Sequence, residues 1–183
     1  MEPIISQDYL ESLLDQVSTK IQMYRRASSP SHQTYRNRQR QWHDKLETFE
    51  ERISDLYNPA ITYAFLDYAG PIEDYFLVQG ILAAVGSLSG QAAALADLNF
   101  VPGLEAGAQK LKEACDSFVA QLPEEERVEF IHFFEERKQD INRSGNYFFL
   151  YGYELMFSLL NRSGYGLPTE LLEKVRETVQ RGA

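Results

Sequence analysis

Cysteine and histidine are scarce in this chain: one Cys, at position 115, and three His, at 32, 43 and 132, in 183 residues. A single Cys excludes an internal disulfide and any multi-cysteine zinc site. It agrees with a reducing compartment, and a cytoplasmic location is the expectation. The nearest His to Cys115 is seventeen residues away in sequence, so no local base activates the thiol. The patterns G-x-S-x-G, G-x-x-x-x-G-K-[ST] and G-x-G-x-x-G are all missing, which removes the nucleophile elbow and the glycine loops that cradle phosphate. Residues 1–16 hold acids where a secretory signal needs a basic region and an apolar core, so export by that route is not expected. No segment alternates apolar and polar residues between hairpin-type turns; the strand-like 130–134 and 148–151 sit inside longer helical patterns.

Helical periodicity is what the chain does have. The stretch 74–98 reads apolar on every side, from Phe76, Leu77 and Val78 through Ile81, Leu82 and Val85 to Leu95. A helix of that kind is normally wrapped by others. Small residues recur at four-residue steps, Gly80 to Ala84 and Gly86 to Gly90 to Ala94, leaving a groove for another backbone. The groove offsets the helix-interior glycines, which cost roughly 1 kcal/mol each against Ala. The stretch is long enough to cross a bilayer, but Gln79, Ser87, Ser89 and Gln91 interrupt it and Asp74 and Asp97 bracket it. A buried central helix, and no membrane span, is the expectation.

The other helices come in order. Leu10, Leu14, Val17, Ile21 and Tyr24 form one coiled-coil-like seam, and Trp42, Leu46, Phe49, Ile53 and Leu56 form a second beyond a break at Pro30. Together they suggest an antiparallel hairpin over 7–57. Asn58-Pro59 starts a short helix ending at Gly70, and Gly70-Pro71 opens the central one. Leu104, Ala108, Leu111, Cys115, Phe118 and Leu122 mark a further helix; Pro123 and Glu124 to Glu126 begin the next, which presents Val128, Phe130, Ile131, Phe134 and Ile141. Asn-Arg-Ser-Gly occurs at 142–145 and again at 161–164, each reading as a helix end with Gly in the left-handed cap. Between them 147–160 is the second helix apolar nearly all round, and a last amphipathic helix lies beyond Pro168, with Leu172, Val175 and Val179 inward. The expectation is an all-α, single-domain bundle over 1–183, of about seven or eight helices. The hairpin (7–57) precedes a bundle core (58–183) whose two most apolar helices pack together.

Catalytic signals are thin. Glu129 and His132 form an E-x-x-H step, the spacing of di-iron bundles, but those need a second pair and further carboxylates. The nearest substitute, His43 with Glu47, has the wrong spacing. Cys115 on a seam reads as a small buried hydrophobe. No enzyme activity, metal or cofactor is expected.

Charge is more informative. Between Lys20 and Lys45 lie seven bases and one acid, so this segment is +6 and the remainder −15 of a net −9. In it, Arg25, Arg26, Tyr35, Arg36, Arg38, Arg40 and Trp42 interleave guanidinium and aromatic groups, a pattern that suits a carboxylate or phosphate surface. A patch this small on an acidic chain weighs against nucleic acid. The expectation is a non-enzymatic binder of another protein (an adaptor, assembly factor or inhibitor), with homodimerisation through the hairpin as a further expectation. The alternative is a ligand- or metal-binding bundle using the aromatic 147–157 helix with Glu129 and His132.

Overall fold

In the computed structural model the described residues are Ser12, those at 37, 38, 40–42 and 44–48, and 59–181. Most of the hairpin expected over 7–57 therefore lies outside them; Ser12 and the described positions from 37 to 48 are helical. Among the described residues there is no strand. Four complete α-helices come next: α1 (Pro59–Gly86), α2 (Leu104–Gln121), α3 (Glu124–Arg162) and α4 (Thr169–Arg181), with short 3-10 turns at Ser87–Ser89 and Leu98–Phe100.

Two pairs of expected helices are fused. The short helix ending at Gly70 and the helix opening at Pro71 are one, since α1 runs through Pro71. A proline there removes the hydrogen bond to the Asp67 carbonyl and should break the helix. Burial on both sides outweighs that loss: Tyr68 and Ala69 before the proline and Ile72 and Phe76 after it are all in the core. The same happens in α3, whose 39 residues pass through the first Asn-Arg-Ser-Gly and extend about 58 Å at 1.5 Å per residue.

The central helix also ends earlier than expected, at Gly86. Gly90 closes the 3-10 turn after it at φ +74, and Ala92 to Ala94 lie in irregular chain. Nor is α1 apolar on every side in its surroundings: Val78 and Leu82 are 42% and 40% exposed. What did form from the small-residue pattern is the crossing of α1 and α3, the most extensive helix contact described. A methyl on Gly80 would collide with the Phe149 carbonyl, and one on Gly152 with the Leu77 carbonyl. Each backbone thus rests in the notch left by the other helix's glycine, with Ala84, Phe149, Tyr153 and Met156 buried around it. Tyr153 and Ser87 close that contact with a 3.0 Å hydroxyl–hydroxyl hydrogen bond.

The remaining helices follow their periodicity in part: on α3 Phe130, Phe134 and Ile141 are buried, but Val128 and Ile131 are 76% and 45% exposed, and Leu172 on α4 is only half-buried. On α2, Leu111, Cys115 and Phe118 point inward, with Leu122 at the end. Glu124, Glu125 and Glu126 occupy the first turn of α3, where the helix dipole favours them. On α4, Val175 and Val179 are buried, and Arg176 Nε donates to Glu154 on α3 at 2.8 Å. No helix among the described residues is long and apolar enough to cross a membrane.

Candidate functional site

The bases at 38, 40 and 45 belong to the described helical residues between 37 and 48, of which Trp42 and Leu46 lie against the first half of α3 and the start of α1. Of its described side chains only Leu46 is buried and Trp42 half-buried; the rest are exposed. That pattern comes from composition, since polar and charged residues alternate with only these two apolar ones.

Trp42 is turned inward. Its ring meets Phe133 at 5.5 Å between centroids, and its Nε1 donates to Asp140 Oδ2 at 2.8 Å. The guanidinium of Arg137, only 8% exposed, lies 5.4 Å from the Trp42 ring centre and 5.9 Å from that of Phe65. A guanidinium between two aromatic faces gains from their quadrupoles and keeps its edge for hydrogen bonds. One of these goes to Asp140, at 3.4 Å. Arg38 approaches the other Asp140 oxygen at 3.6 Å, so this carboxylate gathers the indole and two guanidinium groups. Lys45 sits 3.9 Å from Glu136 and 5.0 Å from the Trp42 ring centre. Beside them a concavity of about 140 Å³ opens to solvent, lined by Trp42, Leu46, Phe65, Leu66, Phe133 and Arg137.

Of the seven residues expected to meet a partner, Arg25, Arg26, Tyr35 and Arg36 lie outside the described residues. Arg38 and Arg40 are exposed, the first turned toward Asp140, while Trp42 attaches the segment to α3. Asp140, Arg137 and Phe133 are not among the residues expected from the sequence. The signal for them is present: 133, 137 and 140 fall at steps of four and three on one face of α3.

The residues of the ligand- or metal-binding alternative do not converge on a centre. Glu129 is exposed, and His132, with its side chain 75% exposed, has Nε2 3.4 Å from Glu136. Among the described residues no three His, Cys, Asp or Glu side chains gather as metal ligands would; His43 lies outside them. In the 147–157 stretch, Phe149, Tyr153 and Phe157 are buried and pack in the core, and Tyr147 stacks on Tyr151 at 6.2 Å. Burial, then Tyr151 and Glu154 nearby, raises the Tyr147 phenol far above its ordinary pKa and keeps it neutral.

A second concavity, about 570 Å³, opens between α2 and α3 over Leu111, Cys115, Val119, Ile131 and Phe134. Burial first, then Asp116 and Glu135, pushes the Cys115 thiol up to about 11. At neutral pH it is protonated and a poor nucleophile.

Compared with protein-family models, with curated proteins and with solved structures, the chain matches none.

Proposed function

We propose that this chain is a non-enzymatic helical protein that binds another protein through its basic N-terminal segment, as an adaptor, assembly factor or inhibitor. The observation that carries the reading is the charge pattern: Arg38 and Arg40 stand exposed within a segment of +6, on a chain whose remainder is −15. Arginines there would set the orientation of an acidic partner and speed its approach through opposite fields. Arg25, Arg26, Tyr35 and Arg36 extend the same basic-aromatic sequence and belong to the proposed surface. Trp42 contributes by holding the segment on α3, with the exposed guanidinium groups of Arg38 and Arg40 on its solvent side, where an acidic partner can reach them. A cytoplasmic setting and a second copy of the chain as one acidic partner are parts of the same proposal.

The test is affinity capture from native lysate with wild type and with Arg36, Arg38 and Arg40 all changed to Glu, light scattering confirming mass and folding of both. A defined protein partner that disappears on charge reversal is the expected result. Identical partners for the two forms would overturn the reading, and metal or a chromophore on freshly purified wild type would favour the ligand-binding alternative.

A further inference from the structure

The attachment of residues 37–48 to the bundle is shallow and electrical. Leu46 is their one buried described side chain, Trp42 lies half-buried against Phe133 and Arg137, and a concavity of about 140 Å³ beside Trp42 stays open to solvent, so apolar contact is limited. The remaining attachments are polar: the indole hydrogen bond to Asp140 and the approaches of Arg38 to Asp140 and Lys45 to Glu136, at 3.6 and 3.9 Å. Exposed pairs at such distances contribute little each. Asp140 is different, because its two oxygens receive Trp42, Arg38 and Arg137 together. Leu66 of α1, which lines the same concavity, stands 59% exposed, so lifting the segment would uncover the buried Phe65 and Phe133 beside it.

We infer that residues 37–48 form a releasable strap with Asp140 as its catch, and that an acidic polypeptide binding the basic segment displaces Asp140 and Glu136 and lifts Trp42 from α3. The two α3 carboxylates are then internal competitors for the bases an acidic partner uses. The identity of the competitor rests on the proposed binding of an acidic partner; the catch itself does not.

Trp42 is the only tryptophan, so indole fluorescence reports the strap alone. The experiment compares wild type with Asp140→Asn in emission maximum, acrylamide quenching and far-ultraviolet circular dichroism, and then titrates both with poly-L-glutamate. Losing a charged acceptor should move the docked-to-released ratio about tenfold. Asp140→Asn therefore shows redder emission and stronger quenching with unchanged helix content. Poly-L-glutamate moves wild-type emission toward that of the variant and binds the variant several-fold more tightly, in line with the removed competitor.

Unchanged emission and quenching in Asp140→Asn would overturn the catch. Binding of poly-L-glutamate that leaves Trp42 unmoved would overturn the competition alone, and no binding to either form would count against the basic-docking reading and the competition together. Should Asp140→Asn lose helix content, Arg38→Gln and Lys45→Gln, which leave α3 intact, are read in its place. Combined in one chain they loosen Trp42 if the strap is held as inferred, and no change in that double variant overturns it.

Discussion

Asn-Arg-Ser-Gly occurs twice on α3, at 142–145 inside the helix and at 161–164 at its end. In the first copy the asparagine and the glycine are used sideways, against α1, and the serine bonds back along its own helix. Asn142 Oδ1 accepts from the Tyr68 hydroxyl of α1 at 2.8 Å, Ser144 is buried and donates to the Ile141 carbonyl at 2.6 Å, and Gly145 lies against the Phe76 ring. In the second copy the groups are used lengthways. Asn161 brackets Leu167, accepting from its N–H at 2.6 Å and donating to its carbonyl at 3.2 Å, while Gly164 turns left-handed at φ +89. The Tyr165 N–H then reaches back to the Leu160 carbonyl at 3.1 Å. Four identical residues carry identical cap propensities, so the difference lies in the surface opposite each copy and in the chain beyond it. Opposite the first stands α1, and after it comes apolar 147–160, which stays in the core only if the helix continues. After the second comes Pro168, with nothing within 4 Å of the Gly164 position.

The sharpest way to break this comparison is to put the same side chain on both glycines. Gly145→Leu drives a branched side chain into Phe76, where a methyl alone would lie 2.8 Å from the ring. Overpacking of that kind should cost about 3 kcal/mol, despite the better helix propensity of Leu. Gly164→Leu meets open space and loses only the ease of a left-handed backbone, about 1 kcal/mol. Urea unfolding of the two variants beside wild type measures both. Equal losses would mean that the α1 contact does not decide the fate of the first copy.

Next in size is the asparagine pair. Asn142→Ala leaves the Tyr68 hydroxyl without its bond to α3, and Asn161→Ala removes both bonds to Leu167; each should cost about 1 kcal/mol. Location separates them. Amide hydrogen exchange at Leu167 should quicken in Asn161→Ala and stay slow in Asn142→Ala. Exchange at Leu167 unaltered by Asn161→Ala would remove the loop-bracketing role.

The same contrast explains what could be read in advance. Where a helix buries one periodic face, the sequence suffices: Leu111, Cys115 and Phe118 on α2, and Val175 and Val179 on α4, all lie in the core as their spacing requires. The all-helical character and the pairing of the two most apolar helices come from the same signal. Where local punctuation meets tertiary contact, local rules mislead. Pro71 and the first Asn-Arg-Ser-Gly are breakers by those rules, and only the burial of Ile72 and Phe76 and the contact of Phe76 with Gly145 show why both are overridden. At the candidate site the bases and Trp42 are visible as composition, whereas Asp140 shows only as one position in the four-and-three spacing of 133, 137 and 140, which does not say what will cover it. An acid on a helix face looks solvated until the segment that covers it, some hundred residues earlier, is in place.

The smallest effect separates the two copies by electrostatics alone. Arg143 and Arg162 are both exposed, so neither substitution by Ala opens a cavity. Arg143 lies mid-helix, whereas Arg162 occupies the last turn of α3, beside carbonyls that carry the negative end of the helix dipole. Arg162→Ala should therefore cost about 0.5 kcal/mol at low ionic strength and almost nothing in 1 M salt, where screening is effective beyond about 3 Å. Arg143→Ala should stay within about 0.5 kcal/mol of wild type, with no dependence on salt. Unfolding free energies at two salt concentrations check both. If Arg143→Ala showed the larger salt-dependent loss, the charge of the mid-helix copy would be engaged and the comparison would have to include its arginine.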